Sequence, residues 1–270
     1  MKYTVIFFFI IIAVSCFAEE HKVIKMGYRT TEKLPYINKM PDNEGYFKDL
    51  YSEAARRIGY KLAFVRLPKI RVLRGLANGT IDFYPGFSFN QERAAYSYWI
   101  STGRLQRDVA VSLEGLKELK SEKDLAGLNQ LVALGNPDYV QHFDKTKFQQ
   151  HIVPELDIKR ALHLIKLKRA DFYIYEEDAL KFFIKEEKIK GYKFHANLIH
   201  SSNYESAGFS RRSPIFLAVK NEKFVRSKPL AKDNLPEKPM KGSPVYKFEA
   251  AMKAMIKEGV VQKIYKKHFE

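Results

Sequence analysis

Ser88 and Arg93 stand five positions apart in Ser88-Phe89-Asn90-Gln91-Glu92-Arg93, a polar loop that follows an apolar run at residues 81–84. The serine supplies a hydroxyl. The arginine adds a rigid fork of donors that meets a carboxylate two bonds at a time. A helix opening in this loop would contribute unpaired backbone N–H groups and a partial positive charge. Together these features suit a receptor for a small anionic or zwitterionic solute. The plainer alternative is an arginine in the first turn of a helix, held in a surface salt bridge.

The elements that must position this pair are readable from periodicity. Residues 23–27 predict a short strand. Phe47, Leu50, Tyr51, Ala54 and Ile58 recur at spacings of three and four before Gly59, which predicts a helix. A second strand is expected at 62–65. Val72, Leu73 and Leu76 mark a second helix closed by Asn78-Gly79, and 81–84 is a third strand. A second unit has a similar pattern, with a strand at 131–134 running into Gly135-Asn136-Pro137-Asp138. A helical stripe through Ile158, Ala161, Leu162 and Ile165 follows, then a strand at 172–175. Residues 108–113 read as an extended crossover between the units and 216–219 as the return. Residues 224–244, with four prolines and many lysines, read as a surface excursion. The last helix bears Phe248, Met252 and Met255, with Gly259 inside its pattern. Strands alternating with helices predict a parallel-type α/β sheet.

Composition narrows the function. The seven histidines show no zinc spacing, and the chain lacks a G-x-S-x-G elbow, a phosphate loop and a dinucleotide fingerprint. No metal or cofactor is expected. Cys16 is the only cysteine, which excludes a disulfide or thiolate chemistry from the folded domain. The net charge is +16, and removing residues 1–18 takes away only Lys2, leaving +15. No nucleic-acid-binding pattern accompanies that charge. It reads either as a solvated lysine-rich surface or as one tuned to lipid headgroups, cell-wall polymers or an anionic ligand. Residues 1–18 read as an export signal: Lys2, an apolar run at 5–14 too short to span a bilayer, then Cys16-Phe17-Ala18. Ile12-Ala13-Val14-Ser15-Cys16 also loosely resembles a lipobox. The expected location is the periplasm, free or lipid-anchored at Cys16.

Leu67-Pro68-Lys69, Gly79-Thr80-Ile81-Asp82 and the Ser88 to Arg93 spacing resemble the ligand-binding segment of bacterial solute-binding proteins of family 3. These are the periplasmic amino-acid receptors of ABC transporters. Gly45-Tyr46-Phe47-Lys48-Asp49-Leu50 and residues 250–269 extend the resemblance over nearly all of the mature chain. It implies an α/β, two-lobe periplasmic-binding-protein fold of type II, with two crossover strands forming a hinge. Residues 19–110 and 215–270 would make lobe one and 111–214 lobe two, with ligand in the cleft between them.

The resemblance also implies roles. Arg93 and Ser88 would hold a ligand carboxylate, and Gly86 would offer its carbonyl. Glu176 stands where the family usually has an Asp for the ligand's ammonium; an acidic helix start is its other reading. Asn136 and Tyr139 belong to Asn136-Pro137-Asp138-Tyr139, which resembles the helix start of lobe two, with simple capping by Asn136 or Asp138 as the alternative. Tyr28 and Tyr36 fall near positions where aromatics cover the ligand, or else are core or surface tyrosines. Lys69 replaces an apolar or aromatic contact. Pointing inward it would favour a second acidic group on the ligand; pointing outward it is one more surface lysine. Pro85, Asp138 and Glu176 depart from the family pattern, which leaves an amino acid, an organic acid, an opine or a small peptide as solute. The implied partner is an ABC permease, and the chain is expected to be a non-enzymatic monomer. A diffusible receptor for a membrane sensor and a cyclohexadienyl-dehydratase-like enzyme using Glu176 are the alternatives.

Overall fold

The computed structural model describes residues 22–199 and 202–270, so the expected signal segment and Cys16 lie outside the described residues. β1 (Val23–Arg29) is followed by α1 (Tyr46–Arg57), which buries Tyr46, Phe47, Leu50, Tyr51, Ala54 and Ala55 on one face. The helix stops as expected, with Gly59 at a φ of 75°. β2 (Lys61–Leu67), α2 (Lys69–Asn78) and β3 (Phe83–Tyr84) come next, and both strands run parallel to β1. α2 closes on Gly79, where a Cβ would lie 2.4 Å from the Arg212 carbonyl oxygen. α3 (Gln91–Ala94) is a single turn, so the predicted helix beyond Ser88 is shorter than its pattern suggests.

β4 (Ser97–Leu113) is 17 residues long and serves both halves of the molecule. The second half is built from β5 (Asn129–Ala133), β6 (Gln149–Val153), α4 (Ile158–Lys166), β7 (Phe172–Glu176), α5 (Glu177–Glu186) and β8 (Tyr192–His195). β5 is parallel to β6 and β7, whereas β4 is antiparallel to β7 and β8 from Asp108 onward. β9 (Ser202–Ser210) then returns antiparallel to the first part of β4 and to β3. The resulting strand order is β2-β1-β3-β9-β4-β7-β5-β6. Two α/β lobes are therefore joined through two long strands, with a register shift in the β4–β9 pair between Ser101 and Leu105.

The return expected at residues 216–219 is corrected to β9. Phe216 is buried because it packs on Tyr98, with ring centroids 5.6 Å apart. Beyond it, β10 (Ala218–Lys220) pairs with β11 (Glu237–Pro239) in a separate two-stranded sheet. The closing helix is also two helices, α6 (Pro244–Lys257) and α7 (Val260–Phe269), broken where Gly259 takes a φ of 73°. The first lobe is held by Tyr51, Phe83, Phe209 and Phe248, with Phe83 stacked on Phe209 at 4.8 Å. Each such ring, fully buried, contributes about 2–3 kcal/mol. In the second lobe a separate cluster surrounds Phe148, Phe172 and Ile174, while Leu131, Ile158, Leu162 and Tyr173 belong to the main core.

Candidate functional site: a charged cleft between the lobes

Strand ends from both lobes converge on one small cavity. From lobe one, the loop after β3 carries Pro85, Gly86, Phe87 and Ser88, and α3 carries Arg93. Asn90 caps α3 by accepting from the Arg93 backbone N–H at 2.8 Å. That cap fixes where the Arg93 side chain starts. Its guanidinium lies over the Phe87 ring at 4.3 Å and donates to the Ser88 carbonyl at 2.8 Å. It also donates across the cleft to the Gly135 carbonyl at 2.9 Å. Arg93 is only 4% exposed, and these partners are neutral, so the surface salt-bridge alternative is wrong. Gly86 has a φ of 57°, and a Cβ there would lie 2.8 Å from Phe47 Cζ, so only glycine fits without strain.

Two further basic side chains face the same space. Lys69, in the first turn of α2, points inward and donates to Asn136 Oδ1. Burial, with Arg93, Arg29 and Lys33 nearby, holds its pKa well below the ordinary lysine value. Arg29, at the end of β1, donates to Thr31 Oγ1 at 2.5 Å, to the Tyr175 hydroxyl at 3.1 Å and to the Leu156 carbonyl at 3.2 Å.

The acidic side of the cleft centres on Glu176, at the end of β7. Its carboxylate turns into the cleft rather than capping α5. It pairs with Lys33, accepts from the Tyr36 hydroxyl and meets Arg104 at 3.0 Å. Burial pushes its pKa up, but Lys33 and Arg104 outweigh that and hold it below the usual glutamate value. Lys33 Nζ lies 4.5 Å from the Tyr36 ring centre, 5.4 Å from Tyr175 and 5.9 Å from Phe47. Arg104 also binds Asp178 at 2.5 Å and Glu205 at 3.2 Å.

The cavity so formed is about 30 Å³, room for roughly one or two waters. Of the residues singled out from sequence, Arg93, Ser88, Gly86, Lys69, Asn136, Tyr139 and Glu176 all line it. Tyr36 stands behind Glu176 and orients it. Tyr28 does not reach the cavity either. It lies in the lobe-one core against Phe64, and its hydroxyl donates to the Tyr36 carbonyl at 3.2 Å. The predicted helix start at Asn136-Pro137-Asp138-Tyr139 is likewise corrected to turns, in which Asp138 accepts from the Val140 N–H at 3.2 Å and pairs with Lys145. Arg29, Lys33 and Arg104 were not anticipated. An outer chamber of about 270 Å³ adjoins the cavity through Ser88, Gln106, Pro137 and Tyr139, and Asp108 and Glu205 face it.

A two-lobe α/β receptor with two crossing strands and a charged interlobe cleft defines the class of two-lobe periplasmic binding proteins. The chain belongs to the bacterial extracellular solute-binding proteins, family 3, whose pattern matches residues 24–270. Among solved structures it is similar to an ancestral arginine-binding protein bound to arginine, at 19% identity over 93% of this chain and 99% of that one, with a TM-score of 0.69. A structure describing glutathione import via GshT and the cystine ABC importer TcyBC of Streptococcus mutans matches at 17% identity, 92% and 95% coverage and a TM-score of 0.72. An ancestral amino acid-binding protein, a precursor of cyclohexadienyl dehydratase, matches at 16% identity, 92% and 95% coverage and a TM-score of 0.65. Compared by sequence with curated proteins, the chain has no match. No helix among the described residues is long and apolar enough to cross a membrane.

Proposed function

We propose that this protein captures a small carboxylate-bearing solute between its lobes and hands it to an ABC permease. One observation carries the reading. Arg93 is buried at the cleft, donates to carbonyls of both lobes, and lines the cavity beside Ser88. Burying a guanidinium without a counter-charge costs several kcal/mol, and an arriving carboxylate offsets that cost. Such a ligand would touch both lobes at once and favour the closed arrangement about β4 and β9. The similarity to arginine-binding and amino acid-binding proteins agrees with a carboxylate handle. The reading includes export by residues 1–18, with Cys16 as a lipid anchor where the lipobox is used, and a monomer in the periplasm.

An enzyme of the dehydratase kind needs a proton donor in the cleft. Glu176 is held ionised by Lys33 and Arg104, which disfavours it as an acid. A diffusible receptor for a membrane sensor shares the same cleft; permease and ATPase genes beside this one would favour transport. The test is a thermal-shift screen against the protein amino acids and small organic acids, repeated with Arg93→Ala. A ligand that raises the melting temperature of the native chain should lose roughly 2–5 kcal/mol of binding in the variant. Full retention of affinity in Arg93→Ala would refute the proposed site.

A further inference from the structure

The cleft already contains a cation in the place where an amine is best received. Glu176, with the rings of Tyr36, Tyr175 and Phe47, makes a seat of carboxylate and aromatic faces, and the Lys33 ammonium sits in it. Arg104 and the Tyr36 hydroxyl both meet the Glu176 Oε1, which leaves Lys33 as the cation at Oε2.

The other side of the same cavity has the opposite imbalance. Arg29, Lys69 and Arg93 all line it, and their hydrogen-bond partners are carbonyls, hydroxyls and an amide. Arg29 and Arg93 are each 4% exposed. Glu155, near Arg29, is bound at the exposed rim to the Thr30 hydroxyl at 2.8 Å. Asp108 faces the outer chamber rather than the inner cavity. One carboxylate on the ligand would answer one of the two arginines; two would answer both and would favour the charged form of Lys69 beside them. An ammonium on the same ligand would meet Lys33 at the acidic seat and arginines elsewhere.

We propose that the cleft selects compact dicarboxylates lacking an ammonium group, because Lys33 fills the seat beside Glu176 while Arg29, Lys69 and Arg93 are left with neutral partners. The inference rests on the solute-binding reading and narrows it to a ligand class. Admitting such an acid requires the lobes to part, since the inner cavity is only about 30 Å³.

Two matched pairs, succinate with aspartate and glutarate with glutamate, differ within each pair only by the ammonium. Calorimetric titration of the native chain should show a diacid binding at least about tenfold more tightly than its amino partner. Lys33→Ala frees the Glu176 seat and should raise aspartate or glutamate affinity by about tenfold, erasing the preference. Lys33→Gln, which keeps most of the stem but not the charge, checks the result if the alanine variant folds poorly, and the native comparison stands without either. An amino acid binding as tightly as its diacid overturns the inference and leaves the solute-binding reading intact. Binding of arginine or glutamine but of none of the four does the same. No binding by any of these compounds overturns the inference, and the solute-binding reading is then decided by the wider thermal-shift screen.

Discussion

Asp108 stands opposite Glu176 in the β4–β7 ladder, two carboxyl groups on neighbouring strands. Burial, and then the Glu176 charge, raise its pKa from 3.8 to about 7. The folded chain thus keeps this proton up to about pH 7, whereas the unfolded chain releases it near 3.8. Folding is favoured by that proton at low pH, and the contribution is lost as pH rises through the folded value. Asp108→Asn should therefore stabilise the protein above pH 7 by about 1–3 kcal/mol, with the gain fading toward pH 4. Melting curves across that range check it; a difference independent of pH would show that Asp108 ionises freely. At this scale the sequence discloses what is local. Ser88 and Arg93 act within one loop and one turn, so their spacing reveals the pair, whereas the Asn90 cap that fixes Arg93 emerges only in the structure. Lys33 and Arg29 act on Glu176 and Tyr175, more than 140 positions away, and nothing beside them in the chain signals it.

Among the elements, β4 carries the greatest mechanical demand, because both lobes hang on it. Arg104 sits within its register shift and joins Glu176 of β7, Glu205 of β9, Asp178 of α5 and the Tyr36 hydroxyl. The side chains of Glu176 and Glu205 are 2% and 0% exposed. Arg104→Ala would leave both with too little positive charge and should cost about 3–5 kcal/mol in urea unfolding. Arg104→Lys restores the charge but not the planar fork, so its loss should be smaller. An unchanged unfolding midpoint in the alanine variant would mean that the network contributes no stability. The same junction explains why the hinge was only half legible. Residues 108–113 read as extended from Val109, Ala110 and Val111, but Gly103 and Arg104 interrupt the pattern upstream. β9 reads Ser-Asn-Tyr-Glu-Ser-Ala-Gly-Phe-Ser, small and polar residues that conceal a buried central strand. Its Gly208 is required by packing, since a Cβ there would lie 2.1 Å from Phe87.

For the molecule as a whole, the cleft is closed by its own side chains. Lys33 with Glu176, Lys69 with Asn136, Arg93 with the Gly135 carbonyl and Arg29 with the Leu156 carbonyl and the Tyr175 hydroxyl all cross between the lobes. Closure in a hinged receptor is an equilibrium, and a few kcal/mol decide which arrangement dominates. Among these crossings, the Lys33–Glu176 pair is the one made by opposite charges, and Lys33 is 11% exposed. Removing it should move the balance toward open lobes by about 1–3 kcal/mol. A compact chain of this length has a radius of gyration of about 18 Å, and hinge opening should add on the order of 1 Å. Small-angle scattering should then find Lys33→Ala larger than the native chain in the absence of solute. A saturating solute that bridges the lobes should return the variant to the native radius, because its own contacts to both lobes take the place of the lost crossing. Scattering curves that superimpose without solute would mean that the remaining crossings hold the lobes together, and that Lys33 acts on which ligand enters rather than on closure.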